Sequence, residues 1–289
     1  MKTVIKGAGT ALVTPFTAEG AVDVPALKKI VRHNVDGGID FLCVLGTTAE
    51  TPTLSREEQL LVRKTVLDET AGALPLILGF GGNNTALMVD SLKTEDFTGF
   101  DALLVVTPFY NKPNQEGLYH HYKALAAASH KPIFIYNVPG RTGVNILPGT
   151  VARLAAECPS IVGIKEASGK IEQIRELISI CPEDFVVLSG DDALTCDIMA
   201  AGGQGVISVA SNVFPAQVAK VVHASGRQAA QADAAIAKYF EPLFREGNPV
   251  GIKALLSVNG FCGNFLRLPL VPASSSLLEY FKNDCNGKD

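Results

Sequence analysis

The sequence predicts a (β/α)₈ barrel over residues 1–225 and a C-terminal helical extension over residues 226–289 that packs on the barrel. Three observations support this class. Eight short apolar runs occur before residue 225, and segments with helical spacing separate them. No G-x-G-x-x-G sequence, which is typical of a dinucleotide-binding doubly wound sheet, follows the first run. A barrel therefore fits the pattern better than an open sheet.

The apolar runs are rich in Val, Ile, Leu and Phe, and they are continuous rather than alternating. Continuous runs are typical of parallel strands that are covered on both faces. The predicted strands are 7–16, 40–48, 74–82, 101–110, 132–139, 161–168, 184–192 and 204–212.

Helix starts can be placed by their capping residues. Asp23 precedes one segment with helical spacing, and Ser55 precedes the next, where Glu58 completes a capping box. Beyond residue 225 the strand pattern stops. Three segments there have helical spacing, namely 227–244, 248–261 and 274–283.

The composition narrows the class of partner. The chain has 289 residues, of which 47% are hydrophobic and 19% are charged, and its net charge is −4. These values, without any block of Lys or Arg, argue against binding to nucleic acid or to an anionic membrane. No stretch reaches about 18 uninterrupted apolar residues, and the N-terminus lacks the pattern of a signal or transit peptide, so we expect a cytoplasmic protein.

No metal site is expected. The six cysteines are scattered without a C-x-x-C pair, and the five histidines show no H-x-x-x-H spacing. The expected partners are small molecules or other proteins.

Polar side chains follow the predicted strands at their carboxyl ends, where barrel enzymes have their active sites. Lys165 ends the sixth strand and shares a strand face with Ile161 and Gly163, so an empty slot is expected beneath the amine. If this face is interior, burial favours the uncharged amine, which attacks a ketone to form a Schiff base. The alternatives are a lysine that extends to the barrel rim or one that pairs with Glu166.

A proton relay is the second expected feature. Tyr136 ends the fifth strand, and neighbouring parallel strands lie about 4.8 Å apart, so its phenol can share a pocket with Lys165. Thr47 and Tyr110, at the ends of the second and fourth strands, offer further hydroxyls. Each residue alone is more often structural, but their occurrence on one rim favours a functional site.

Two further places suit carboxylate groups. Thr47 and Thr48 follow Gly46 at a strand-to-helix turn, where hydroxyls and backbone N–H groups can bind a carboxylate. Arg141 follows Tyr136 in a loop and can hold a second carboxylate, although a solvated arginine is the alternative.

Two other patterns are interpreted as structural. Asp191 and Asp192 are expected to cap a helix rather than to act as an acid pair. The glycines within residues 201–205 indicate a close backbone approach rather than a phosphate site.

Six motifs, in this order and spacing, resemble those of the dihydrodipicolinate synthase family, in the superfamily of pyruvate-dependent class I aldolases and N-acetylneuraminate lyase. The motifs are GTTAE (46–50), VTPFYN (106–111), YNVPGRTG (136–143), GIKEAS (163–168), SGDD (189–192) and GVISV (205–209). The resemblance covers essentially the whole chain. It implies a (β/α)₈ lyase of lysine and diaminopimelate biosynthesis that condenses pyruvate with L-aspartate 4-semialdehyde to 4-hydroxy-tetrahydrodipicolinate. It also implies no cofactor, and a homotetramer built as a dimer of dimers.

The resemblance implies a role for each candidate residue. By this resemblance, Lys165 forms the imine with pyruvate, and Thr47, Tyr136 and a Tyr110 from a neighbouring subunit form a proton relay. Thr47 and Thr48 bind the pyruvate carboxylate, and Arg141 binds the carboxylate of the second substrate. The Gly190 backbone and the Ile207 side chain line the pyruvate pocket.

The chain departs from the family pattern at a few positions. Ala49 replaces the usual glycine of the first motif, which is tolerable if φ is negative there. Where lysine-sensitive members bind lysine, this chain has Arg56, Gln59, Leu87 and Phe109. Because Leu87 cannot balance an ammonium group, we expect weak or no feedback inhibition by lysine.

Two alternative functions stay open. One is N-acetylneuraminate lyase or another keto-sugar-acid aldolase of the superfamily, although Arg141 and Tyr110 suit a small amino-acid aldehyde better. The other is a catalytically silent barrel that binds a keto acid. The intact set of Lys165, Tyr136 and Thr47 argues against a silent barrel.

Overall fold

A computed structural model describes residues 5–286. Eight parallel strands, paired in chain order, close into a barrel, which confirms the predicted fold class. Every predicted strand contains an observed one. The strands are β1 (Gly7–Ala11), β2 (Phe41–Val44), β3 (Leu76–Phe80), β4 (Ala102–Val106), β5 (Ile133–Asn137), β6 (Ile161–Glu166), β7 (Val186–Ser189) and β8 (Gly205–Ser208).

Twelve α-helices lie within residues 5–286. They are α1 (Val24–Asp36), α2 (Arg56–Thr70), α3 (Thr85–Thr94), α4 (Gln115–Ala128), α5 (Pro139–Thr142), α6 (Pro148–Glu157), α7 (Ile171–Ile180), α8 (Thr195–Ala200), α9 (Pro215–His223), α10 (Gly226–Arg245), α11 (Val250–Val258) and α12 (Ser275–Asn286). None of these twelve has the length and apolar character needed to cross a membrane.

The strands are buried on both faces, as their continuous apolar sequences predict. All residues of β2, β5 and β7 are buried. Such strands cannot show the alternation of an exposed sheet, because neither face contacts water.

Within residues 5–286 the chain separates into two compact units, one of residues 5–7 and 75–207 and the other of residues 8–74 and 208–286. Within the first unit, β3 to β7 pair in sequence as parallel neighbours. Within the second unit, β1 pairs with β2, and α10 packs against α9 and α11. The division of the chain at residue 225 into a barrel and a helical extension stays a prediction.

Two predicted helix starts are confirmed by their capping bonds. Asp23 Oδ1 accepts a hydrogen bond from the main-chain N–H of Ala26 at 3.0 Å, at the start of α1. Ser55 and Glu58 form a reciprocal capping box at the start of α2. Both signals depend only on residues within one helical turn, so the sequence alone can show them.

The ring of Phe134 fills the space beside Gly163. A Cβ on Gly163 would lie 2.5 Å from Phe134 Cε1 and 2.5 Å from the carbonyl oxygen of Val186. The expected empty slot beneath Lys165 is therefore wrong, because the glycine makes room for an aromatic ring from β5 and not for a cavity.

The predicted close approach near residues 201–205 is confirmed at Gly205. This residue has a φ of +150°, and a Cβ on it would lie 2.0 Å from the carbonyl oxygen of Gly7. Only a glycine fits such a contact between two main chains.

We expect Gly163→Ala to lower the free energy of unfolding by about 3 kcal/mol, because the added methyl group would collide with a main-chain carbonyl inside the sheet. Urea unfolding of the two proteins measures the difference. Gly149→Ala is the matched control, since nothing lies within 4 Å of a Cβ at that position. The control should stay within about 1 kcal/mol of the parent protein. Equal stabilities of the two variants would contradict the packing described for Gly163.

Candidate active site

Lys165 is buried at the carboxyl end of β6, with 6% of its surface exposed. Its Nζ lies 4.5 Å from the centre of the Tyr136 ring. No carboxylate within residues 5–286 forms an ion pair with it. Lysines are rarely buried without a counter-ion, because removing an ammonium group from water is costly. The alternatives of a lysine at the rim or paired with Glu166 are both wrong.

Tyr136 lies beside Lys165 because the register of β5 and β6 pairs these two residues directly. Tyr136 is also buried, with 7% of its surface exposed. Paired residues of neighbouring strands point to the same face of a sheet, which brings the phenol ring and the amine together. The predicted proximity of the two side chains is confirmed, whereas their catalytic roles stay a proposal.

Gly190 follows β7 and lies against the stem of Lys165. Its main-chain N–H donates to the carbonyl oxygen of Glu166 at 2.8 Å, which continues the pairing of β6 and β7 beyond the strand ends. A Cβ on Gly190 would lie 3.1 Å from Lys165 Cε and 2.6 Å from the Cβ of Ala167. The missing side chain at Gly190 therefore leaves room for the lysine to reach its position.

Glu166, the residue after Lys165, points to the opposite face of β6 and lies at the centre of a network of amides. Its carboxylate accepts hydrogen bonds from Asn137 Nδ2 at 2.9 Å, from the main chain of Ser168 at 2.7 Å and from Gln173 Nε2 at 3.2 Å. Gln173 belongs to α7, so this face of the strand is the helix-covered one. The side chain of Glu166 is fully buried, and burial raises the pKa of its carboxyl group.

The same network holds the segment that carries Arg141. Asn145 Oδ1 accepts from Asn137 Nδ2 at 2.8 Å, and Asn137 Oδ1 accepts from the main chain of Ile146 at 3.2 Å. Asn145 Nδ2 also donates to Gln173 Oε1 at 2.9 Å. Asn137 precedes Arg141, and Asn145 and Ile146 follow it, so these bonds anchor the segment that carries Arg141 at both of its ends.

Our sequence reasoning missed this network, although one signal was present. Asn137 directly follows Tyr136, and Glu166 directly follows Lys165, in two neighbouring strands. Because consecutive strand residues point to opposite faces, Asn137 and Glu166 are expected to lie together on the face behind Tyr136 and Lys165. The contributions of Asn145 and α7 carry no comparable signal.

Arg141 lies on α5, a single helical turn after β5, and its side chain is exposed. Thr142 stabilises this turn from within, because its Oγ1 donates to the carbonyl oxygen of Val144 at 2.9 Å. Arg141 is thus held at the carboxyl end of the strand that carries Tyr136, as the sequence predicts.

Tyr110 lies outside the lysine pocket of its own chain. β4 ends at Val106, and Tyr110 follows in a turn with a φ of +71° and with 89% of its surface exposed. Tyr110 therefore does not lie on a strand face with Val106, because β4 has already ended. The main-chain N–H of Tyr110 donates to the carbonyl oxygen of Thr142 at 3.1 Å, so the turn is anchored although the ring is not.

In the second unit, a short 3₁₀ turn at Thr47–Ala49, which we call the threonine turn, follows β2. Thr48 is 2% exposed and Thr47 is half-buried. Thr48 Oγ1 accepts a hydrogen bond from Asn248 Nδ2 at 2.9 Å. Ala49 is not among the residues with positive φ, so it meets the condition for replacing glycine, whereas the next residue, Glu50, has a φ of +54°.

One further candidate site residue lies in β8, and one predicted helix cap follows β7. Ile207 is buried within β8, with 1% of its surface exposed. Asp191 Oδ1 accepts from the main chain of Ala193 at 3.1 Å, which confirms the predicted cap. Over residues 5–286, no group of three or more His, Cys, Asp or Glu side chains is placed to hold a metal ion.

Known proteins resemble this chain over nearly its whole length. The profile of the Dihydrodipicolinate synthetase family matches residues 4–286. The 4-hydroxy-tetrahydrodipicolinate synthase of Flavobacterium psychrophilum is 48% identical over 276 residues, which cover 94% of each chain. The enzyme of that name from Phocaeicola vulgatus is 46% identical over 287 residues, covering 96% of this chain and 95% of its own. The crystal structure of dihydrodipicolinate synthase from Thermotoga maritima has a TM-score of 0.94 at 42% identity and 98% coverage of both chains.

We expect the protein to lose stability relative to Glu166→Gln as the pH rises. Burial raises the folded-state pKa of Glu166 above its ordinary value of 4.5, so the folded protein binds this proton more tightly than the unfolded chain does. The resulting stabilisation is complete below the unfolded-state pKa and is lost as the pH rises through the folded-state pKa, whereas the variant cannot titrate there.

Free energies of unfolding of both proteins, measured from about pH 4 to about pH 8, check this expectation. Glu241→Gln is the control, because Arg245 lowers the pKa of that exposed carboxyl and its difference should run in the opposite direction. A stability difference between the protein and Glu166→Gln that does not change with pH would contradict the effect of burial.

Proposed function

The chain belongs to the dihydrodipicolinate synthetase family, and we propose that it condenses pyruvate with L-aspartate 4-semialdehyde through an imine on Lys165. The product is 4-hydroxy-tetrahydrodipicolinate, a precursor of diaminopimelate and lysine. The observation that carries the proposal is the enclosure of Lys165 beside Tyr136 without a carboxylate partner. A biosynthetic reaction of this kind fits a cytoplasmic location, which we also propose.

The first step is attack of the Lys165 nitrogen on the keto carbon of pyruvate. The nitrogen lone pair forms the new C–N bond while the carbonyl oxygen takes up a proton, and the carbinolamine then loses water to leave the imine. The amine must be uncharged for this attack. Tyr136 is the group next to the amine, so it is our candidate to give and take these protons.

Thr47 and Tyr110 complete the proposed relay to solvent. Tyr110 projects from its own chain, so its contribution requires a second copy of the protein to receive the ring. Leu87 and Phe109, in the same unit, are exposed as well, at 63% and 42% of their surfaces. Exposed apolar side chains of this size favour an interface, and we propose a homotetramer built from two dimers in which Tyr110 is exchanged.

The second substrate is proposed to bind through its carboxylate to Arg141, while Thr47 and Thr48 bind the carboxylate of pyruvate. The backbone of Gly190 and the side chain of Ile207 line the pyruvate site. Loss of a proton from the imine gives an enamine, whose carbon attacks the aldehyde. The amino group of the substrate then displaces Lys165 as the ring closes, which frees the enzyme without any cofactor.

Leu87 brings no charge to the position where lysine-sensitive members of the family bind lysine, so weak or absent inhibition by lysine stays a prediction.

We expect pyruvate and borohydride to label Lys165 and no other lysine. Reduction of the imine fixes the pyruvate carbon skeleton on Nζ, and peptide mass mapping locates the mass increase. Lys253 is the internal control, because it is also fully buried but forms an ion pair with Glu50 and should stay unmodified. A protein without an adduct on Lys165 would refute the proposed imine, and a silent keto-acid-binding barrel would then be the better reading.

We expect Tyr136→Phe to lower kcat by about 100-fold, because the ring still packs on Lys165 but the phenolic proton is lost. The assay couples pyruvate and L-aspartate 4-semialdehyde and is run beside cleavage of N-acetylneuraminate, which tests the sugar-acid alternative. The parent protein should catalyse only the condensation. Tyr119→Phe, on α4, is the control and should keep the parent's rate, because the Tyr119 hydroxyl donates to Glu157. Unchanged kcat in Tyr136→Phe would remove this residue from the relay.

A further inference from the structure

We infer that the C-terminal segment of residues 248–267 positions the threonine turn for the carboxylate of the keto acid, through a buried Glu50–Lys253 ion pair and through Asn248. The inference rests on the proposed function and deepens it. It assigns three positioning residues that do not themselves touch the substrate.

Glu50 directly follows the threonine turn and holds a conformation that is unfavourable for its residue type. Its φ of +54° and ψ of +34° lie in the left-handed region, which a residue with a Cβ rarely adopts. Its main-chain N–H donates to the carbonyl oxygen of Thr47 at 3.2 Å, so the conformation of Glu50 closes the turn. Because such a conformation persists only when surrounding contacts enforce it, the side chain of Glu50 is the natural anchor.

The hydrogen bonds to the Glu50 carboxylate come from the C-terminal segment. Lys253 Nζ donates to Glu50 Oε1, and the main-chain N–H of Arg267 donates to Glu50 Oε2 at 3.1 Å. Lys253 Nζ also donates to the carbonyl oxygen of Phe265 at 3.0 Å. The carboxylate thus joins the threonine turn to α11 and to the chain that follows it.

The pair is completely removed from water, with both side chains 0% exposed. Burial lowers the pKa of Lys253, while the charge of Glu50 opposes that shift. The ammonium group also lies 4.0 Å from the centre of the Phe16 ring. Replacing a buried ion pair by apolar side chains is often neutral or stabilising, so stability alone does not account for this pair. Orientation of the turn is what the pair adds.

Asn248 acts on the adjacent hydroxyl. Its Nδ2 donates to Thr48 Oγ1 at 2.9 Å, so the hydroxyl oxygen already accepts one hydrogen bond. A hydroxyl has one hydrogen of its own to donate, and that hydrogen must then point away from Asn248. The Thr48 hydroxyl is thereby oriented to donate its hydrogen to a carboxylate ligand.

A pair of substitutions separates positioning from stability. Glu50→Gln and Lys253→Met each leave one buried charge without its partner and should destabilise the fold strongly. The double variant removes both charges and should recover most of the lost stability in urea unfolding. In the double variant, we expect half-maximal borohydride labelling of Lys165 to require about 10-fold more pyruvate than in the parent. Its kcat at saturating pyruvate should stay within about 3-fold of the parent's.

Asn248→Ala provides a second measurement if either single variant fails to fold. It keeps the ion pair and removes only the donor to Thr48, and we expect the pyruvate concentration for half-labelling to rise about 5-fold. The double variant Lys64→Met, Asp68→Asn is the matched control, because this ion pair on α2 is exposed at 73% and 57% of its side chains. It should leave both labelling and kcat unchanged.

The outcomes are distinguishable. The inference is overturned if the pyruvate concentration for half-maximal labelling equals the parent's in two proteins, the Glu50→Gln, Lys253→Met double variant and Asn248→Ala. These residues would then have structural roles only. Loss of kcat without a change in half-labelling would overturn it too, because positioning for the carboxylate acts through affinity. A parent protein that forms no adduct would instead refute the proposed function itself, and this inference would fall with it.

Discussion

The cost of burying an amine is the constraint on which the rest of this structure depends. Lys165 and Lys253 are both enclosed, and the protein treats them in opposite ways. Lys253 faces the carboxylate of Glu50, so its charge is neutralised and its position is locked. Lys165 lies beside the ring of Tyr136 and forms no ion pair with a carboxylate within residues 5–286. The same residue type is an anchor in one place and our candidate nucleophile in the other.

The ladder between β5 and β6 converts this constraint into a site. Tyr136 and Lys165 are register partners, and the residues after them, Asn137 and Glu166, are register partners as well. Alternation along the strands therefore places Tyr136 and Lys165 on one face and a hydrogen-bonded pair directly behind them. The second pair joins two strands, a helix and the segment that carries Arg141, so Tyr136 and Lys165 rest on a hydrogen-bonded support.

In the second unit, support comes from residues that are distant in the chain. The threonine turn ends at a strained glutamate, and the contacts that satisfy this glutamate lie about 200 residues later. The helices after the last strand are thus tied to the proposed substrate-binding turn by charge and by one amide. We propose that the C-terminal segment thereby takes part in binding, beyond its packing in the hydrophobic core.

The sequence by itself determined the eight strands, the helix caps at Asp23 and Ser55, and the pairing of Tyr136 with Lys165, because each depends on periodicity, nearest neighbours or the order of parallel strands. Only the tertiary structure decided which group fills the space beside Gly163, that Tyr110 lies in an exposed turn after its strand has ended, and that Glu166 and Glu50 are held by amides and by Lys253. These contacts join residues far apart in the chain or follow from where a strand stops. Their partners are set by the packing of whole elements, which no local pattern of residue types encodes.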